Sequence, residues 1–96
     1  MITIVIYDIV TTKIRNRIIR FCKDYGLYRV QKSVFLGKLN PEYYQEFSEK
    51  IISIINQLED SVYIIPISKH SYNKAKFIGQ TFDSNIIKDS GITVFF

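Results

Sequence analysis

Residues Ile2 to Tyr7 form an unbroken β-branched and apolar run that stops at Asp8. It reads as a central strand, apolar on both faces. Thr11 or Thr12 then offers an N-cap. Ile14, Ile18, Phe21, Cys22 and Tyr25 recur at helical spacing and make one stripe, with Lys13, Arg17 and Arg20 on the opposite side. Gly26 is placed to end this helix as its C′ residue.

Leu27–Gln31 and Ser33–Leu39 are strand-like, and the Gln-Lys-Ser between them is poor in turn formers. They are therefore either two short strands or one bent strand. Asn40-Pro41-Glu42 is a helix start, with Asn as N-cap and Pro at the first helical position. Tyr44, Phe47, Ile51, Ile54 and Leu58 continue at helical spacing, which predicts a second helix running to about Gln57. Ser61–Ile67 is a further apolar strand, and its Pro66 has no N–H for a ladder, so an edge or bulge is expected there. The order β-α-β-β-α-β with right-handed crossovers is an α+β, ferredoxin-like arrangement: an antiparallel sheet with both helices on one face. Residues 1–67 form this core. Residues 68–96 read as a less regular C-terminal extension, with a short apolar piece at Phe77-Ile78 and a last strand at Ile92–Phe96. The whole chain is read as one domain.

Two helices cover only one face of such a sheet. Yet the first strand carries Ile2, Ile4 and Ile6 on one side and Val5 and Tyr7 on the other. An uncovered face of that kind would be a large apolar patch, which monomers seldom expose. A homodimer packed through the open sheet faces is expected, with the C-terminal strand helping to seal it.

Composition supports a folded protein: 47% of the 96 residues are apolar and 23% charged, which argues against disorder. One cysteine, Cys22, excludes an internal disulfide, and one histidine, His70, leaves no Cys/His metal cage. No uncharged run reaches transmembrane length, and Asp8 interrupts the N-terminal apolar stretch, so a soluble cytoplasmic protein is expected. The net charge is +4, but it is unevenly spread. Residues 1–40 hold eight Lys or Arg against Asp8 and Asp24, whereas residues 41–96 are net acidic. A basic half on a small domain points to a polyanionic partner.

Asp8 sits where a buried strand runs out into a loop. There a carboxylate is solvated, caps the next helix, or is held for chemistry. One Asp is a poor metal site, since Mg²⁺ takes one or two carboxylates plus waters and substrate phosphate. A two-fold axis nearby would supply a second Asp8, and a metal shared between them could activate water for phosphodiester cleavage. Strict alternation places Asp8 on the side of Ile2, Ile4 and Ile6; this reading requires that side to be the one the helices leave open. Arg15, Arg17, Arg20 and Arg29 are candidate phosphate contacts, because guanidinium forks match phosphate oxygens. His70 reads as a surface residue, Cys22 as core, and the Tyr43-Tyr44 pair as packing.

The strand ending Tyr7-Asp8, the helix KIRNRIIRF, Gly26, the run from Arg29 to Leu39 (RVQKSVFLGKL) and EDSVYIIPI (Glu59 to Ile67) together resemble the small CRISPR-associated adaptation proteins, the "Cas-two" family. The likeness spans nearly the whole chain. It implies a ferredoxin-like homodimer whose C-terminal strand pairs with the other subunit's sheet. It implies a metal-dependent nuclease acting on RNA or double-stranded DNA, with Asp8 as catalytic residue and ligand to Mg²⁺ or another divalent cation. It also implies a bridging role in spacer acquisition, holding duplex DNA between copies of the "Cas-one" integrase. Tyr7, Arg15, Arg17, Arg29, Gln31, Ser33 and Phe35 match the family's motif positions. One departure stands out: many relatives carry acidic or Asn residues after the Tyr-Asp, and here the segment is Ile9-Val10-Thr11-Thr12. That weakens the nuclease reading more than a non-catalytic scaffold. A toxin-like metal-dependent endoribonuclease of related fold is the remaining alternative.

Overall fold

The computed structural model describes residues 1–79 and 81. Its elements are β1 (Ile2–Asp8), α1 (Thr12–Asp24), β2 (Tyr28–Gln31), β3 (Val34–Lys38), a 3₁₀ turn (Pro41–Tyr43), α2 (Tyr44–Ile54), β4 (Ser61–Ile67) and a short α3 (Lys69–Lys74). The four strands form one antiparallel sheet in the order β2-β3-β1-β4. This is the ferredoxin-like arrangement, with β1 central and β4 on an edge, where Pro66 is tolerated.

The local reasons follow the sequence closely. Thr11 caps α1 through its hydroxyl, which accepts the Ile14 N–H. At the other end Gly26 adopts φ +84°, the Gly26 N–H reaches the Lys23 carbonyl and the Leu27 N–H reaches Cys22. That pair of bonds closes the helix and turns Leu27 into the core. The Gln-Lys-Ser segment is a real break: β2 and β3 are separate strands joined by a turn at Lys32 and Ser33, with a bulge between Arg29 and Gln31. Asn40 caps as expected, accepting the Glu42 N–H, but the first turn is 3₁₀ and α2 starts only at Tyr44.

Two expectations need correction. The second helix ends at Ile54, not near Gln57, and Leu58 is 96% exposed instead of joining the apolar stripe. The cause is local: Asn56 accepts the Leu58 N–H with its side chain and the Glu59 and Asp60 N–H groups with its carbonyl, a turn that competes with the helix. The second correction is α3, which apolar periodicity did not reveal; Ser68 caps it by accepting the Ser71 N–H. The strand expected at Ile92–Phe96 lies outside the described residues.

Helices α1 and α2 pack on the side of Val5, Tyr7 and Phe35, with Ile18, Cys22, Leu27, Phe47 and Ile51 completing the main core. The other side is half-covered. At one end Tyr72 from α3 packs with Ile2 and Leu36, and Phe77 lies against the Tyr72 ring at 5.9 Å. Toward the opposite end Ile6, Tyr63 and Ile65 are exposed, Tyr63 by 61%. Ile6 pairs with Tyr63 and Ile4 with Ile65 across β1 and β4, so these residues form one continuous apolar strip.

Candidate active site at the end of the first strand

Asp8 is the last residue of β1, and its ladder partner is Ser61, the first residue of β4. By the alternation of β1 its side chain stands on the side of Ile4 and Ile6, the face that α1 and α2 leave open. The geometric requirement set by the sequence is therefore met. The Asp8 side chain is exposed and makes no hydrogen bond or ion pair among the described residues.

Tyr7 points the other way, into the core, with its ring tilted against Phe35 at 6.2 Å. Its hydroxyl donates to the Lys32 carbonyl at 2.9 Å, and its N–H donates to the Ser33 carbonyl at 3.1 Å. The Arg29 fork closes on the same Lys32 oxygen, from Nε at 3.2 Å and Nη2 at 2.7 Å. Burial raises the Tyr7 phenol above its ordinary range, partly offset by the charges of Arg29 and Arg15. Tyr7, Arg29, Ser33 and Phe35 thus act together: they fix the β2–β3 turn against the end of β1. Gln31 pairs with Val34 beside that turn.

Arg15 does a matching task on the next loop. Its Nη2 donates to the carbonyls of Ile9 at 2.8 Å and Val10 at 3.3 Å. The Val10 N–H is held from another element: it donates to Asp60 Oδ1 at 2.9 Å, while Asp60 Oδ2 accepts the Asn56 N–H at 2.9 Å. Sequence reasoning missed Asp60. The available signal was Asn and Asp bracketing Gln57-Leu58-Glu59, the composition of a side-chain-closed turn.

The four arginines therefore divide. Arg15 and Arg29 gather at the end of β1 and hold backbone carbonyls. Arg17 and Arg20 are exposed on the outer side of α1, across the sheet from Asp8, and make no such bonds among the described residues. His70 is exposed and Cys22 fully buried, as expected, and burial pushes the Cys22 thiol up to about 12.

No group of three His, Cys, Asp or Glu that could hold a metal occurs among the described residues. At the end of β1 the described residues offer one exposed carboxylate without a partner, Asp8. That donor suits Mg²⁺ chemistry, which asks for one or two carboxylates, waters and phosphate; a second copy of Asp8 would complete the carboxylate pair.

The fold and site define a small α+β protein with a lone strand-end carboxylate on an open sheet face and a basic helix behind it. Residues 1–75 match the family model of CRISPR associated protein Cas2, and the chain belongs to that family. It is 37% identical over 78 residues to a protein of Desulforudis audaxviator named CRISPR-associated endoribonuclease Cas2, covering 81% of this chain and 74% of the relative. Its fold superposes on the crystal structure of Streptococcus pyogenes Cas2 with a TM-score of 0.71 at 27% identity, over 82% of this chain and all of that one (100%). A Thermoproteus tenax protein named as a fusion of the endonucleases Cas1 and Cas2 is 28% identical over 71 residues, 74% of this chain and 27% of the fusion. No helix among the described residues is long and apolar enough to cross a membrane.

Proposed function

We propose that the protein is a cytoplasmic adaptation subunit: a homodimer that binds duplex nucleic acid, bridges a Cas1 integrase and cleaves phosphodiester bonds of RNA or double-stranded DNA with Mg²⁺. The observation that carries this is the placement of Asp8 beside an exposed apolar strip. Ile6, Tyr63 and Ile65 need a cover, and a second copy placed on them by a two-fold axis brings a second carboxylate toward the first. The names of the Desulforudis and Thermoproteus relatives support the nuclease and the Cas1 association respectively.

In this reading Asp8 holds the cation from each protomer. The cation, when bound, neutralises phosphate charge and lowers the pKa of a water. The protein supplies the rest. Tyr7 and Arg29 keep the β2–β3 turn in place, Arg15 keeps the Ile9–Val10 turn in place, and Arg17 and Arg20 attract the backbone of the duplex from the helical side. Arg15 and Arg29 retain further N–H donors for phosphate.

Replacing Asp8 with Ala tests the catalytic part. Cleavage by purified protein should fall to background while duplex binding, read by fluorescence anisotropy, is unchanged. Cleavage that survives at the original rate removes Asp8 from the reaction. A bridging subunit without cleavage is the second reading, and the observation favouring it is the Ile9–Thr12 loop, which adds no carboxylate or amide side chain to the site.

A further inference from the structure

We infer that Asp60 is a positioning residue for Asp8: its carboxylate ties the turn after β1 to the turn before β4 and so fixes the last rung of the ladder that carries Asp8. This rests on reading Asp8 as the metal-holding carboxylate.

The β1–β4 ladder ends at Asp8 and Ser61. A terminal rung at an edge frays unless something beyond it is tied down. Here the residues just past the rung on each strand are joined by a side chain. Asp60 is the neighbour of Ser61, and Val10 lies two residues past Asp8. The Asp60 carboxylate takes the Val10 N–H with one oxygen and the Asn56 N–H with the other, both at 2.9 Å. Asp60 is only 9% exposed, so these charge-assisted bonds work in a partly desolvated place and replace water the carboxylate has lost. From the other side the Arg15 guanidinium takes the Ile9 and Val10 carbonyls. Both polar groups of Val10 and the carbonyl of Ile9 are thus held by charged side chains. A carboxylate at Asp60 is specific to the task. An amide there keeps one acceptor and sets an NH₂ against the second backbone N–H. Groups that hold a metal ligand in place typically change metal affinity by about 10- to 100-fold when altered.

The test uses Asp60→Asn in the full chain, with two readouts. Amide hydrogen exchange follows Val10, Asn56 and, as internal reference, Val5 in the core. Paramagnetic broadening by Mn²⁺ of the amides around Asp8 gives a metal-binding midpoint without any activity assay. Exchange at Val10 or Asn56 should rise about tenfold with Val5 unchanged, and the Mn²⁺ midpoint should rise about tenfold as well. Unchanged exchange overturns the clamp. Faster exchange with an unchanged Mn²⁺ midpoint overturns the positioning role. The Asp8→Ala variant separates the two ideas: broadening that persists in it defeats the metal reading of Asp8 itself. Should Asp60→Asn fail to fold, a scalar coupling across the Val10 N–H to Asp60 Cγ hydrogen bond in the unaltered protein carries the clamp, and its absence overturns it. Arg15→Lys, which loosens the same turn from its carbonyl side, then carries the Mn²⁺ readout: a raised midpoint supports positioning and an unchanged one overturns it.

Discussion

Gly37 of β3 lies directly against Leu27, the first residue after the α1 cap. A methyl group on Gly37 would sit 3.0 Å from Leu27 Cδ2 and 3.1 Å from Leu27 Cα, with the Gly26 carbonyl oxygen at 3.2 Å. Two of these three neighbours are backbone and cannot simply rotate away. The close approach lets the end of α1 seat on the sheet and brings β2 alongside β3, the hairpin whose turn Tyr7 and Arg29 hold.

Gly37→Ala should therefore destabilise the fold by about 1–3 kcal/mol, the range for forcing a methyl group into a packed interior. Urea unfolding measures it. Gly79→Ala is the comparison: Gly79 has φ +84°, and no atom of the described residues lies within 4 Å of where a methyl group would sit, so the expected cost is conformational, about 1 kcal/mol.

The arginines of α1 should separate by role. Arg17→Ala and Arg20→Ala together should weaken duplex binding for every sequence alike and reduce the salt slope by about 0.9 for each phosphate no longer neutralised. Arg15→Ala should instead depress cleavage more than binding, because it frees the Ile9 and Val10 carbonyls beside Asp8. Binding titrations at several salt concentrations, paired with cleavage rates, distinguish the two patterns; an unchanged salt slope in the Arg17/Arg20 double variant excludes them as phosphate contacts.

Stability should fall in alkaline solution, with Cys22 responsible for the first part. Its thiol ordinarily ionises at 9.0, and burial pushes it up to about 12 in the folded protein. The folded value is the higher one, so the stabilisation is complete below about 9 and is lost as pH rises toward 12, when the unfolded chain gains a thiolate that the core refuses. Tyr7 and Tyr72, both raised by burial, add losses in the same direction only above about 10. Between about pH 9 and 10 the free energy of urea unfolding should decline by up to about 1.4 kcal/mol per unit from this thiol, a slope that Cys22→Ala should remove.

Much of the frame was legible because apolar spacing reports burial directly. The period of two along Ile2–Tyr7 placed Asp8 on the side of Ile2, Ile4 and Ile6, though a strand apolar on both faces could not say which side the helices leave open, and the Ile18/Cys22 stripe and Gly26 placed α1 and its stop. Elements set by polar side chains were not legible in that way. Leu58 kept the helical spacing, so periodicity carried α2 too far, while the Asn56 and Asp60 turn that ends it leaves no apolar trace. The six residues of α3 hold one buried apolar anchor, Tyr72, too few to show a period. At the site, a sequence shows that Arg15 and Arg29 are cations but not that they close on backbone carbonyls, and Asp60 looks like any polar residue leading into a strand.

The central claim is that a second copy covers Ile6, Tyr63 and Ile65 and brings two Asp8 residues together. Nitroxide labels on Asp8→Cys, with the buried native thiol left unlabelled, test it by pulsed dipolar spectroscopy. The account predicts one short, well-defined distance between two labels, abolished by adding Tyr63→Glu. Absence of dipolar coupling at high protein concentration, or a coupling that survives Tyr63→Glu, would contradict it.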